Sequence, residues 1–278
     1  MLSAIDPRNN LQAFRELLLL ITKHRTLTLE MARREISDRY AGQFFGLFWS
    51  FGHPLILILV YVFVFRFIFS SRIAGAVAMP MDYSTYLLAG LIPWITFQDA
   101  MTKACISIII NANVVKQVIF PIDVLPAKGV FATLFTQVVL LAILVLFVLV
   151  THRALPWSYL LIPVLVLLQF LAMSGVSYFL AAVGPYFRDI KDFVQVFTVA
   201  GLYTMPIFYQ PDSMPAPARV VLYLNPLSHL IWAYQDVIYF GYIAHWWAWV
   251  VTVILSLASF TLGYRFFRKV KPMFGNVL

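Results

Sequence analysis

The sequence predicts an all-α integral membrane protein with six transmembrane helices, and three observations predict it. The 278-residue chain is 62% hydrophobic and 12% charged, whereas a soluble domain is about 45–50% apolar and about 25% charged. Its apolar runs reach the roughly 17–25 residues that a helical span needs. Those runs also lack the alternation of apolar and polar residues that a transmembrane barrel imposes. Lipid offers no partner to unpaired backbone groups, so the runs must be helices. They cover residues 44–69, 83–101, 127–150, 157–183, 193–209 and 246–264.

Charge sets the orientation. Of the 20 basic residues, all but Arg66, Arg72, Arg153 and Arg219 fall before the first run, in the second-to-third and fourth-to-fifth connections, or in the tail. Cytoplasmic loops carry the Lys/Arg excess, so both termini are expected inside. The net charge of +8 is therefore a topology signal, with some attraction to anionic lipid heads, and not a nucleic-acid footprint. The opening residues are polar, and no cleavable signal is expected.

Residues 11–40 carry apolar residues at helical spacing (Leu11, Phe14, Leu17, Leu18 and Ile21, then Leu29, Ala32 and Ile36) among frequent charges. This reads as an amphipathic helix in the inner membrane interface, or as one packed on a partner protein. The first span opens slim at Gly42, Gly46 and Gly52, so another helix can approach closely. Pro54, Pro93, Pro163 and Pro206 each lack the N–H that the carbonyl four residues back needs, so kinks are expected. Each is either ordinary in a membrane helix or a break that lines a cavity. The six residues THRALP make spans three and four a tight hairpin. His245, Trp246, Trp247 and Trp249 read as an interfacial aromatic belt opening span six.

Two connections are too apolar to be free loops. Residues 111–129 read NANVVKQVIFPIDVLPAKG, with Val114, Val115, Val118, Ile119 and Phe120 forming an apolar core between two spans. Something must cover it. Residues 220–241 are apolar but broken at Asn225-Pro226 and Gly241. They read as two short helices re-entering the membrane, since neither is long enough to cross it.

Catalytic patterns are missing. There is no GxxxxGK[ST] phosphate loop, GxSxG or HExxH. The single cysteine, Cys105, rules out an internal disulfide and a cysteine-built metal site, and the five histidines lack ligand spacing. Of the acidic residues only Asp99 lies well within a span, and Lys103 at i+4 neutralises it. Ion-coupled transport needs intramembrane carboxylates, so an energy source must come from elsewhere. Aromatics make up 17% of the chain. Tyr61 and Phe65, then Tyr86, Trp94 and Phe97, then Phe193 and Phe197, then Tyr203 and Phe208 recur at roughly helical spacing. Such rings fill a core, face lipid, or line a path by meeting the C–H faces of sugars.

Four stretches together resemble one family, the membrane-spanning permease subunits of ABC-2-type polysaccharide exporters, which move O antigens, capsules and teichoic-acid-like polymers. They are RYAGQFFGLFWSFGHPL at the first span, NANVVKQVIFPIDVLP, YFRDIKDFVQV with MPIFYQPDSMP, and NPLSHLIWAYQDVIYFG. The likeness covers about residues 29–278. At Gln235 the chain departs from the basic residue that the family often carries.

The resemblance implies what docks on residues 111–125: a separate ATPase subunit, seated on a coupling helix. The helix would open at Asn111, with Val115, Ile119 and Phe120 as its apolar anchors and Lys116 and Asp123 as its polar rim. It further implies two copies of this chain with two ATPase copies, which bind ATP and Mg; this chain needs no cofactor of its own. The cargo would be a glycan on undecaprenyl diphosphate, crossing the bacterial inner membrane. Arg39, Tyr40 and Trp49 would lie at the inner entrance. The aromatic set above would line the path, and Asn225, Pro226, Trp232 and Tyr234 would form the outer gate. Two alternatives stay open: an ABC-2 permease for drugs or ordinary lipids, and a polyprenyl-phosphate sugar transferase built on Arg188, Asp189 and Asp192.

Overall fold

The computed structural model describes residues 25–39, 42–64, 81–116, 121–211 and 214–276, and every regular element among them is helical. The α-helices are α1 (Arg25–Arg39), α2 (Trp49–Phe63), α3 (Tyr83–Ile110), α4 (Ala112–Lys116) and α5 (Val124–His152). They continue with α6 (Ile162–Val183), α7 (Ile190–Thr204), α8 (Ala216–Leu224), α9 (Pro226–Gln235) and α10 (Trp246–Val270). Short 3-10 turns precede α2 and α6, a π-helical turn Asp236–Phe240 follows α9, and a 3-10 turn Lys271–Asn276 follows α10.

Among the described residues, three helical stretches are long and apolar enough to cross a membrane: Val124–His152, Trp157–Val183 and Trp246–Gly275. These hold the third, fourth and sixth expected spans. The helix holding the second runs well past residue 101, to Ile110, and Asp99 and Lys103 pair within it at 2.9 Å. The fifth expected span is divided. Helix α7 stops at Thr204, Met205 is extended, and Pro206 follows, as expected of a residue that precedes proline. Pro163 falls in the first turn of α6, where no N–H is needed, instead of kinking a longer helix. Pro93 does lie inside α3. Of the first expected span, residues 65–69 lie outside the described residues, as do residues 11–24 of the interface helix.

Helix α3 is the centre of the bundle and is buried along most of its length. Other helices approach it through small residues. A Cβ added at Gly201 of α7 would sit 2.7 Å from the Trp94 ring, and one at Gly90 of α3 would sit 3.0 Å from Ile231 of α9. The tightest seam joins α6 to α10. There a Cβ on Gly175 would overlap the Ser259 backbone, and one on Gly263 would overlap the Gly175 carbonyl. This backbone-to-backbone approach is how helices associate where lipid removes the hydrophobic drive.

A buried polar cluster ties four helices together. Gln137 Nε2 of α5 donates to Gln169 Oε1 of α6 at 2.6 Å and to the Tyr234 hydroxyl of α9 at 2.8 Å. Gln169 Nε2 in turn donates to the Pro93 carbonyl at 2.9 Å and to Thr96 Oγ1 at 3.1 Å on α3. A half-satisfied network costs more than an apolar one. The Gln169→Leu variant should therefore lose about 1–3 kcal/mol, read as a lowered thermal midpoint in detergent. The Gln137→Leu/Gln169→Leu pair should lose less than the sum of the single changes.

Candidate coupling segment and gate

The segment between α3 and α5 is held at both ends. At its start, Asn111 caps α3: its Nδ2 donates to the Ser107 carbonyl at 2.7 Å and its Oδ1 accepts from Lys128 at 3.5 Å. The chain then forms one short helix, α4, with Val115 half-buried against an apolar cluster containing Leu125, Phe267 and Phe274, and with Lys116 exposed. Ile119 and Phe120 lie outside the described residues. Pro121 to Asp123 form a non-helical turn, and Val124 already belongs to α5. The expected helix over 111–125 is thus not continuous at Pro121 to Asp123. Asp123 does not face solvent as a rim: it is 6% exposed, forms an ion pair with Lys271, and its carbonyl accepts from the Tyr178 hydroxyl at 3.0 Å.

Helix α1 packs on α5 near the same end. Its buried face is Thr28 and Ala32, with Met31, Glu35 and Ile36 half-buried, while Leu29 points outward. The apolar spacing alone placed Leu29 with Ala32. In the observed register Glu35 faces the same side as Ala32, 3.8 Å from Lys103 and 3.7 Å from Lys128. These groups line a cavity of about 530 Å³ together with Met31, Arg34 and Asn111. Of the expected entrance residues, Arg39 ends α1, Trp49 begins α2 with its ring edge-on to Phe45 at 5.8 Å, and Tyr40 lies outside the described residues.

The structure separates the aromatics expected along a path. Tyr86, Trp94 and Phe97 are buried inside the single chain, and the Tyr86 hydroxyl donates to the Pro206 and Tyr209 carbonyls at 3.1 and 3.2 Å. Tyr86 ties α3 to the segment after α7, Trp94 packs against Gly201 of α7, and all three give the chain's exterior almost no surface. Phe193, Phe197 and Tyr203 are exposed along α7, where Tyr203 stacks on the half-buried Phe208 at 5.9 Å. Tyr61 is half-buried against the main core, and Phe65 lies outside the described residues.

The segment expected as the outer gate forms two short helices with a break between them. Asn225 caps α9 by accepting from the Leu227 N–H at 3.1 Å, and Pro226 fills the first helical position, where its missing N–H costs nothing. Trp232 and Tyr234 are buried. Gln235 is buried too, and its Nε2 donates to the Pro206 carbonyl at 2.7 Å. A neutral donor suits that dry position, where a basic side chain would bury a charge.

Sequence reasoning missed the group that closes this segment. Asp236 is fully buried. One carboxylate oxygen accepts from the His245 backbone N–H at 2.9 Å and the Trp249 indole at 3.2 Å; the other lies 2.7 Å from His245 Nδ1. A carboxylate only accepts, so Nδ1 donates. Gly241 ends the π-helical turn in the left-handed region at φ 78°, letting the chain double back to α10. An acid inside the run LIWAYQDVIYFG was the available signal.

A helical bundle with stretches long enough to cross a bilayer, and with its polar groups joining helices, defines a polytopic membrane protein. The ABC-2 type transporter family matches residues 26–239, and the chain belongs to that family. It is 27% identical over 257 residues to an O-antigen export system permease protein RfbA of Klebsiella pneumoniae, covering 91% of this chain and 95% of that one. A second protein of that name from the same organism is 26% identical, with the same coverage. One from Myxococcus xanthus is 27% identical over 219 residues, covering 78% of this chain and 82% of the relative.

Proposed function

We propose that this chain is the permease subunit of an ATP-driven exporter, moving a lipid-linked polysaccharide such as O antigen across the bacterial inner membrane. The observation that carries the reading is the near end-to-end match to permeases named for O-antigen export. In this reading the chain crosses six times with both termini cytoplasmic, supported by the three long apolar helices and by the placement of the basic residues. Two copies form the path, and two copies of a separate ATPase subunit bind ATP and Mg.

Residues 111–123 receive the motion of the ATPase, with Val115, Lys116, Ile119 and Phe120 toward the partner. The exposed row Phe193, Phe197 and Tyr203 lines the path, since aromatic faces hold sugar rings without demanding one sequence of sugars. The undecaprenyl tail stays in the bilayer, and residues 220–241 gate the outer end. Arg39, Tyr40 and Trp49 meet the diphosphate at the inner entrance. Arg39→Ala should lower export without lowering the yield of the complex; unchanged export removes Arg39 from the entrance.

The test is reconstitution with the cognate ATPase in vesicles. Polyprenyl-linked glycan should stimulate ATP hydrolysis and appear on the far side. Stimulation by small amphiphiles, with none by the glycan-lipid, would reassign the cargo to drugs or ordinary lipids.

A further inference from the structure

The chain does not leave the fold after α10. The turn Lys271–Asn276 continues α10 without a break, and Phe274 is fully buried edge-on to Phe267 at 5.6 Å and tilted on Tyr186 at 6.4 Å. Val115 of α4 and Ile122 of the following turn pack on the same cluster. Lys271 pairs with Asp123, beside the bond from Tyr178 of α6 to the Asp123 carbonyl. The pairing replaces an ordinary role. An Asp immediately before a helix usually accepts from the helix's first N–H groups. Asp123 holds that position before α5 and makes no such bond. Its side chain is turned to the C-terminal turn instead.

We propose that the C-terminal turn is a brace for the coupling segment, with Lys271 and Asp123 as its positioning residues. The inference rests on the proposed function for its consequence. A push on α4 then passes through Asp123 to α6 by way of Tyr178, and to α10 by way of Lys271 and Phe274. Without the brace, α4 still seats on the ATPase, but its displacement is absorbed in the turn at Pro121–Asp123 and reaches the spans weakly.

Two readouts on Lys271→Ala test this. In the reconstituted complex, complex yield and ATP hydrolysis should stay at the wild-type level while glycan exported per ATP falls at least about fivefold, the lower end of ordinary coupling between sites. Lys271→Arg should restore it. Export per ATP unchanged in Lys271→Ala, or falling only in step with complex yield, overturns the role in coupling.

The second readout uses the chain alone in membranes, with spin labels on cysteines at the exposed positions Asn113 and Met273; the native Cys105 is buried and stays unlabelled. The distance distribution should be narrow in the wild type and broadened by Lys271→Ala. An unchanged distribution overturns the brace whatever the cargo is. A wild-type complex that neither forms nor exports sinks the proposed function and leaves this distance to decide the brace.

Discussion

Gly263→Leu should abolish recovery of folded protein. Any Cβ at Gly263 overlaps the Gly175 carbonyl on the facing helix, which is main chain and cannot turn aside as a side chain would. The two helices must separate, which breaks the bond from Ser259 to the Ala172 carbonyl at 3.2 Å and strips the contacts around Gly175. Overpacking a core costs about 1–3 kcal/mol when side chains can shift. A backbone clash between two paired helices belongs at or above the top of that range. Size-exclusion profiles and thermal midpoints in detergent check it: Gly263→Leu should aggregate and Gly263→Ala should be intermediate. Gly275→Ala, where a Cβ meets nothing within 4 Å, should match the wild type.

Asp236→Ala is the second large effect expected. It removes the acceptor of the His245 backbone N–H and of the Trp249 indole, and the partner of the His245 ring. A buried donor left without an acceptor costs about 1–3 kcal/mol; the three donors to Asp236 are only part-buried, so together they should lose roughly 2–4 kcal/mol. The damage should be local. Residues 236–245 should gain backbone hydrogen exchange while α3 and α5 keep theirs. Asp236→Asn retains one acceptor and should fall between. Equal exchange in Asp236→Ala and wild type would show that Asp236 does not hold this segment.

The long elements were legible in the sequence because their signal is gross. The stretches 127–150, 157–183 and 246–264 are apolar enough that little besides a buried or spanning helix fits them, and the structure places a long helix over each. The break at Asn225-Pro226 was legible for a local reason, since proline opens a helix and asparagine caps one. Less legible was whatever depends on which residue faces which. Helix α1 turns Leu29 outward and Glu35 toward two lysines distant in sequence, and spacing cannot show that. Nothing in the sequence marks Gln137 and Gln169 as a pair; their value lies in meeting each other and Tyr234. Aromatic spacing could not divide Trp94, buried against Gly201, from Phe197, exposed on α7. Asp123 read as part of the coupling helix's polar rim, and spacing could not show its ion pair with Lys271 from the other end of the chain.

The central claim, that the chain exports a lipid-linked glycan, is tested most directly by deleting it and following the polymer. The account predicts that long glycan on its polyprenyl carrier accumulates inside the cell while the surface polymer disappears. If the polymer is never made, the chain acts in synthesis; if the surface polymer is unchanged, the cargo is another molecule. Either result contradicts the account.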